Sequence, residues 1–329
     1  MTDNSNKNSN SSENFTADHL KYLQSMPLSI KIGLTKNRIR EWLREYDAYI
    51  SFSGGKDSTV LLHIVRQLYP NVPAVFVDTG LEYPEVREFA LSQENVIRLR
   101  PEMNFRKVIE TYGYPLVSKE VAKRVYEYHR AEQKGTLESS LAYKEFNGIR
   151  KAPNGMSFYN KSKWRFLVDA PFKMSHRCCD IMKKHPVKKY EKDTGRKPII
   201  ATMTCESKAR KTAWLKNGCN AFDSKRPTSQ PMSFWTEQDV LQYLRNYDIP
   251  YASVYGEIKE DENGKLYTTG CDRTGCVFCG FGCHLEKEPN RFQRLHETHP
   301  KLWEYCMRDW KDGGLGMKNV LEYINIKTE

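Results

Sequence analysis

The sequence predicts an α/β fold: a doubly wound parallel sheet followed by a cysteine-rich, mostly helical region. Three observations carry this expectation. Short, continuously apolar runs recur, as strands buried on both faces of a parallel sheet require. They alternate with stretches whose apolar residues repeat at helical spacing. One apolar run also passes through a glycine-rich turn straight into a helical pattern.

Taken in order, residues 1–20 open with the polar string MTDNSNKNSNSSENFT and read as a disordered tail without a secretory signal. Ile32, Ile39, Leu43 and Tyr46 share a helical face, which predicts a helix over Leu28 to Tyr46. Ala48 to Phe52 is a β-prone run. Ser53-Gly54-Gly55-Lys56-Asp57-Ser58 follows, and Leu61, Ile64, Val65 and Leu68 then predict a helix. Ala74 to Val77 is a second strand, ending at Asp78-Thr79-Gly80. Val86, Phe89 and Ala90 suggest a helix, and Val96 to Leu99 a third strand. Right-handed crossovers are expected between them. Ile199 to Thr202 reads as a later strand of the same sheet.

The pattern weakens from Gly113 to Arg177, where Tyr126, Tyr128, Tyr143, Phe146, Phe158, Tyr159, Trp164 and Phe166 are interleaved with basic residues. Ser233 to Tyr247 is expected to be helical. Gly270 to Cys283 is rich in cysteine and glycine, and two more helical patterns close the chain. The organisation expected is a tail over 1–20, an α/β domain over 21–230 with a basic insertion at about 119–192, and a cysteine-rich helical region over 231–329.

Of the 329 residues, 39% are hydrophobic and 28% charged, which permits a substantial core and excludes disorder throughout. No apolar run approaches the roughly 18 residues that cross a bilayer, so an integral membrane protein is not expected. Nine cysteines without an export signal point to a reducing, cytoplasmic setting, where close cysteine spacing signals metal or redox chemistry. The net charge of +11 favours an anionic partner. Nearly all of it lies between Lys119 and Lys192, where 18 Lys and Arg face 8 Asp and Glu.

The glycine loop sits where a strand meets a helix N-terminus. Glycines let a backbone approach a phosphate closely, and the helix end offers unpaired N–H groups to an anion. Lys56 adds a cation, and Ser53 and Ser58 add hydroxyls. Asp57 would repel phosphate unless a metal ion intervenes, which implies Mg²⁺. The string matches neither the Walker pattern nor G-x-G-x-x-G. The alternative is a plain tight turn between strand and helix.

SGGKDS resembles the PP-loop of the ATP pyrophosphatases, or adenine nucleotide alpha hydrolases. The longer runs SFSGGKDSTVLLHIV and VFVDTGLEYPEV are similar to the phosphoadenosine phosphosulfate (PAPS) reductase family within that superfamily. The resemblance implies a Rossmann-like sheet that binds ATP and cleaves between its α and β phosphates. It places nucleotide contacts on Ser53, Gly54, Gly55, Lys56, Asp57 and Ser58, and adenosine contacts on Asp78 and Thr79, for which a turn or helix-cap role is the alternative. Glu206, Ser207 and Arg210 match a family segment that helps to bind substrate. Thr204 stands where relatives often carry Arg.

Six of the nine cysteines form two groups: Cys178-Cys179, and Cys271, Cys276, Cys279 and Cys283 within thirteen residues. A neighbouring pair followed by a distant C-x-x-C resembles the cluster pattern of adenylyl-sulfate reductases in this family, which implies a [4Fe–4S] cluster on Cys178, Cys179, Cys276 and Cys279. The alternatives are Zn²⁺ held by Cys271, Cys276, Cys279 and Cys283, or some of these thiols left unligated and reactive. His176 and His284 flank both groups and are expected to hydrogen-bond around a centre rather than ligate it. Cys306 reads as a small core residue. Cys205 follows a sheet strand and is a candidate for the nucleotide site.

Reductases of the family use a cysteine in a C-terminal Glu-Cys-Gly motif, whereas this sequence ends KNVLEYINIKTE. They also tend to depart from SGGKDS, because their nucleotide has no β,γ-pyrophosphate to hold. The function expected is therefore ATP-dependent adenylylation of an acceptor followed by cluster-dependent sulfur transfer, with Lys56, Asp57 and Cys205 in catalytic roles. The basic stretch could hold a tRNA or DNA acceptor, and a sulfur-donor protein is a further expected partner. The first alternative is a sulfonucleotide reductase that uses Cys205, Cys271 or Cys283. The second is a non-catalytic nucleotide- or nucleic-acid-binding module.

Overall fold

Thr16 caps the first helix, α1 (Ala17–Ser25), by accepting from the His19 amide at 3.1 Å. Leu20 on this helix is buried, so the expected tail stops short of residue 17. Its first fourteen residues lie outside those described in this computed structural model, which are 15–150 and 159–329. Phe158, among the interleaved aromatics, also falls outside them. Helix α2 (Leu28–Glu45) ends one residue before the predicted limit and buries Ile39 and Trp42.

The predicted alternation then appears in β1 (Ala48–Ser51), α3 (Lys56–Leu68), β2 (Ala74–Val77), α4 (Pro84–Ser92) and β3 (Val96–Leu99), and the chain continues through α5 (Phe105–Tyr112), β4 (Leu116–Val117), α6 (Lys119–Gln133), α7 (Leu141–Phe146), α8 (His185–Thr194), β5 (Lys197–Ile200), α9 (Lys208–Asn217), β6 (Asn220–Ala221), β7 (Thr228–Ser229) and α10 (Glu237–Asn246). After these come β8 (Ile258–Glu260), β9 (Leu266–Thr268), β10 (Gly280–Phe281), α11 (Arg291–Thr298), α12 (Pro300–Met307) and α13 (Met317–Glu322). The chain forms two compact units, each built from three segments rather than consecutive blocks. One gathers the residues up to Phe76, Glu88–Ile97 and Glu191–Asp272. The other gathers Val77–Arg87, Arg98–Tyr190 and Arg273–Glu329.

The main sheet has the order β3-β2-β1-β5-β7-β6. Strand β1 runs parallel to β2, with Ile50 opposite Ala74, and to β5, with Ile50 opposite Ile199. Strand β6, at the edge, runs antiparallel to β7. Ile50, Phe76 and Ile199 are buried, as strands covered on both faces demand. The chain winds outward from β1 through β2 to β3, then returns on the other side of β1 at β5. That reversal makes β1 and β5 a topological switch point, where open α/β sheets leave a crevice at the strands' carboxyl ends. This is the doubly wound α/β fold that the sequence predicts.

Two details of the C-terminal region differ from expectation. Residues 258–268 form an antiparallel hairpin, with Ile258 opposite Thr268, instead of continuing a helical pattern. The turn is set by Asp261, whose carboxylate accepts from the Asn263 and Lys265 amides, and by Gly264 at φ 77°. Three helices rather than two close the chain. In the second unit, β10 runs parallel to β4, and Val108, Leu116, Val125, Phe146, Leu167, Phe292 and Leu321 form its core.

Candidate active site

In the first unit, β1 is anchored in the middle of the sheet, so the chain leaves its carboxyl end at the switch point. Phe52 is buried and Ser53 exposed. Gly54 takes a left-handed conformation, φ 74°, which an L side chain would strain. Gly55 is the N-cap of α3 and offers no side-chain cap, so the first-turn N–H groups keep their donor capacity. A Cβ on Gly55 would sit 3.3 Å from both the Ser53 Oγ and the Tyr255 hydroxyl. The loop is pinned from within. Ser58 Oγ donates to the Gly55 carbonyl at 2.9 Å and accepts from the Ser53 amide at 3.2 Å, while Ser53 Oγ lies 3.1 Å from Ser58 Oγ.

Lys56 is nearly buried, its side chain 6% exposed, with Nζ 3.4 Å from Glu237 Oε1 and 5.0 Å from the centre of the Tyr255 ring. Donors from α3, Ser53 Oγ and the Lys56 ammonium together make an anion cradle at a helix N-terminus. Asp57, half-buried in the same first turn, is the one carboxylate in the string.

The loop after β5 leaves the same edge of the sheet, because β5 is parallel to β1. There Cys205 is exposed, its Sγ 3.6 Å from the Trp235 carbonyl. Arg210 forms an ion pair with Glu206, whose Oε2 also accepts from the Met203 amide at 3.0 Å. Thr204 is buried and its Oγ1 accepts from Gln24 at 3.2 Å. Arg210 is therefore balanced by a carboxylate, and no cation stands at 204.

Asp78 and Thr79 belong to the second unit. Buried Asp78 receives Arg87 Nε at 3.0 Å and Arg98 Nε at 2.7 Å. Burial alone would raise its pKa, but hydrogen bonds from the two guanidiniums hold the carboxyl below its ordinary range. Thr79 Oγ1 donates to Glu82 at 2.8 Å. Both side chains thus have partners that fix the turn, and Arg87 and Arg98 are residues that the motif reading missed. Nothing in their spacing marks them, because Arg98 reaches Asp78 from the neighbouring strand.

The cysteines of the second unit are gathered by two elements. Cys178 and Cys179 open a π-type turn, Asp180–Lys184, that runs into α8, a geometry frequent at functional sites. Their sulfurs lie 3.9 Å apart. Cys276-Val277-Phe278-Cys279 is held by its own apolar middle: Val277 and Phe278 are buried, and the Val277 amide donates to the Leu81 carbonyl at 2.8 Å. Gly280 follows because a Cβ there would fall 2.7 Å from the Leu116 side chain on β4.

The four thiols sense one another. The hydrogen bond to Cys179, burial, and the nearby Cys279 and Cys276 all push Cys178 up. The same hydrogen bond, seen from the other sulfur, lowers Cys179 against the effect of burial, and Lys119 and Lys183 add to it. Burial raises Cys276, opposed by Lys183, and pushes Cys279 up to about 11 and Cys283 up to about 12. Burial would lower Lys183, but the charges of Cys276 and Glu82 raise it on balance.

Among the described residues, no three His, Cys, Asp or Glu side chains surround a single metal-ion position. Sulfurs on one tetrahedral Zn²⁺ would lie about 3.8 Å apart, from Zn–S bonds of about 2.3 Å. A second signal flanks the thiols. His176 Nδ1, Arg177 Nε and His284 Nδ1 are buried and meet no hydrogen-bond partner among the described residues. An unpaired buried polar atom costs about 1–3 kcal/mol, so three of them next to the cysteines in sequence fit a site built for a larger polar or anionic group.

The basic stretch divides. Fully buried Glu145 gathers Arg124 at 2.8 Å, Lys161 at 2.8 Å and Arg150. Tyr128 and Phe146 lie in the core. Tyr126 is half-buried, and Lys119 faces the thiols. Part of the local charge is therefore structural and part remains at the surface.

Residues 47–154 and 148–280 match the family profile described as the phosphoadenosine phosphosulfate reductase domain. The chain belongs to that family. Its relatives include an uncharacterized protein of Methanocaldococcus jannaschii, 24% identical over 260 residues, covering 79% of this chain and 46% of that protein. The chain thus spans about half the length of that relative. A phosphoadenosine 5'-phosphosulfate reductase of Xanthomonas axonopodis pv. citri is 24% identical over 226 residues, covering 68% of this chain and 73% of that enzyme. Among solved structures, a phosphoadenylyl-sulfate (PAPS) reductase from Candida auris in complex with phosphate aligns with 76% of this chain and 97% of its own at 13% identity and a TM-score of 0.39. The family is enzymatic, and no helix among the described residues is long and apolar enough to cross a membrane.

Proposed function

We propose that this PAPS reductase-family chain binds ATP in the glycine loop and cleaves it between the α and β phosphates, adenylylating an acceptor for sulfur transfer. The observation that carries the reading is the complete Ser53–Ser58 cradle at the switch point, with the uncapped start of α3 and the Lys56 ammonium on one anion site. A β,γ-pyrophosphate leaving group suits such a cradle, because its charge grows as the α–β bond breaks and preorganised donors stabilise that growth. Mg²⁺ would be held through Asp57 and would neutralise phosphate charge.

Cys178, Cys179, Cys276 and Cys279 would hold a [4Fe–4S] cluster, with Lys119 and Lys183 balancing its thiolates. The cluster would supply a site for carrying or transferring sulfur. The chain's own residues bind the nucleotide, orient its phosphates and keep the thiols in a buried, cationic setting. Attack by a sulfide-level sulfur nucleophile on the adenylylated acceptor would complete the reaction, the new bond to sulfur forming as the bond to the AMP oxygen breaks and AMP leaves.

The test is incubation of the purified protein with α-labelled ATP and Mg²⁺. AMP and pyrophosphate are expected, whereas ADP and phosphate would refute α–β cleavage. A second reading, reduction of a sulfonucleotide, is supported by the names of the Xanthomonas relatives and by the exposed Cys205 thiol. Sulfite release from PAPS with a thiol donor would favour it.

A further inference from the structure

A cavity of about 650 Å³ opens in the second unit between the end of α5, one face of α6 and residues 170–174. It lies within the range of about 300–1,000 Å³ typical of ligand sites. Tyr112, Tyr126 and Phe172 present half-buried rings to it, while Arg130 and Lys173 stand exposed at its edge beside Gln133. Among the described residues no acidic side chain lines it, and neither Arg130 nor Lys173 forms an ion pair. Arg130 lies 5.8 Å from the centre of the Tyr126 ring. Behind the tyrosines stand two of the residues with unpaired buried nitrogens: the Arg177 guanidinium lies 5.5 Å from the Tyr112 ring and the His176 ring 6.1 Å from that of Tyr126. Cys178 follows Arg177 directly in the chain.

The floor is built rather than incidental. Gly113, at φ 107°, allows segment 170–174 to approach, since a Cβ there would fall 2.3 Å from the Lys173 carbonyl carbon. The Tyr114 amide donates to the Lys173 carbonyl at 2.8 Å, and Phe172 packs edge-on against Tyr114.

We propose that this cavity takes one unstacked nucleotide of a single-stranded nucleic acid, its base on the tyrosines and Phe172 and its phosphates on Arg130 and Lys173. Aromatic rings accept a base by stacking, and the cations at the rim accept the backbone. Gln133 offers both a donor and an acceptor to a base edge. A duplex keeps its base faces stacked and cannot fill such a pocket. The local excess of ten positive charges between Lys119 and Lys192 (18 − 8) favours a strand over an isolated nucleotide. The inference rests on reading the acceptor as a nucleic acid.

The test is fluorescence anisotropy with labelled 12-nucleotide DNA and RNA strands on the whole protein, with ATP cleavage to AMP measured on the same samples. Tyr126→Ala should weaken strand binding roughly 5- to 150-fold, the range that loss of a stacking aromatic produces. Arg130→Gln and Lys173→Gln, at exposed positions, should each lower the slope of log affinity against log salt by about 0.7. Circular dichroism checks folding, and the two exposed variants keep the test decisive if Tyr126→Ala unfolds. Unchanged affinity and slope in both would overturn the pocket, as would displacement of the strand by an equal concentration of mononucleotide. Pocket-dependent binding without AMP formation would instead sink the proposed reaction and leave the pocket standing.

Discussion

Lys56→Met separates the role of the loop in binding from its role in folding. Methionine keeps most of the apolar stem that Lys56 packs at 6% exposure and removes only the ammonium. The stability lost is bounded by the partners. Glu237 is 50% exposed, and an ion pair of that kind contributes at most about 1 kcal/mol. The ring of Tyr255, 5.0 Å away, adds about 0.5–1 kcal/mol. Unfolding should therefore shift by no more than about 2 kcal/mol, or about 4–8 °C in Tm for a unit of this size. A charge-assisted hydrogen bond to a phosphate is worth about 1.5–3 kcal/mol, so ATP should bind about 10- to 150-fold more weakly. Calorimetric titration with a non-hydrolysable ATP analogue and, in parallel, with adenosine reads both. Adenosine affinity should stay put. Wild-type affinity for the analogue, or an equal loss for adenosine, would refute a phosphate-holding lysine.

Two further predictions concern the second unit. Glu145→Gln removes the carboxylate that Arg124, Lys161 and Arg150 share at a fully buried position, and breaking such a set costs about 3–5 kcal/mol, readable by urea denaturation. Burial pushes the Glu145 pKa up, but hydrogen bonds from Arg124, Lys161 and Arg150 bring it below the ordinary carboxylate range. Its contribution is therefore complete above the unfolded value of about 4.3 and is lost as pH falls through the lower folded value; the variant should lack that acid-side loss. Protein purified without oxygen should be brown and contain iron and sulfide, with Cys276→Ser and Cys179→Ser both colourless; a colourless wild type with one zinc would refute the four-thiol cluster.

Much of the first unit was legible because its signals are local. A buried parallel strand must be apolar throughout, so β1, β2, β3 and β5 appear as short runs, and the glycine string marks where β1 meets α3. What stayed hidden depends on contacts distant in sequence. The units interleave three segments each, which no composition shift announces. Helix α1 was masked by the polar residues before it, although Thr16 and Leu20 carry a cap and a buried face. The hairpin at 258–268 has strands of three residues, too short to show alternation. Arg87 and Arg98 acquire meaning only once folding brings them to Asp78. The charge run from Lys119 to Lys192 looked uniform, yet one glutamate, Glu145, takes three of its cations into the interior.

The same distinction decides which cationic groups can serve an anion. Lys161 and Arg124 are committed: with Arg150 their charges compensate a carboxylate fully shut from water, and withdrawing either would remove a partner that water cannot replace. Lys56 is different, since its partner Glu237 is half exposed and gains from water what it would lose in the pair. A phosphate can therefore compete for Lys56 at little cost. Lys183 is intermediate, raised by the charges of Cys276 and Glu82 at once, so it lends positive charge to the thiols while tied through Glu82 to the turn at Thr79. Residues 78–82 follow β2 in the chain, and they meet the thiol centre through that lysine and through the Val277 amide on the Leu81 carbonyl. Replacing Lys183 should thus disturb the thiols and the Thr79 turn together, a joint effect that neither Lys161 nor Lys56 can produce.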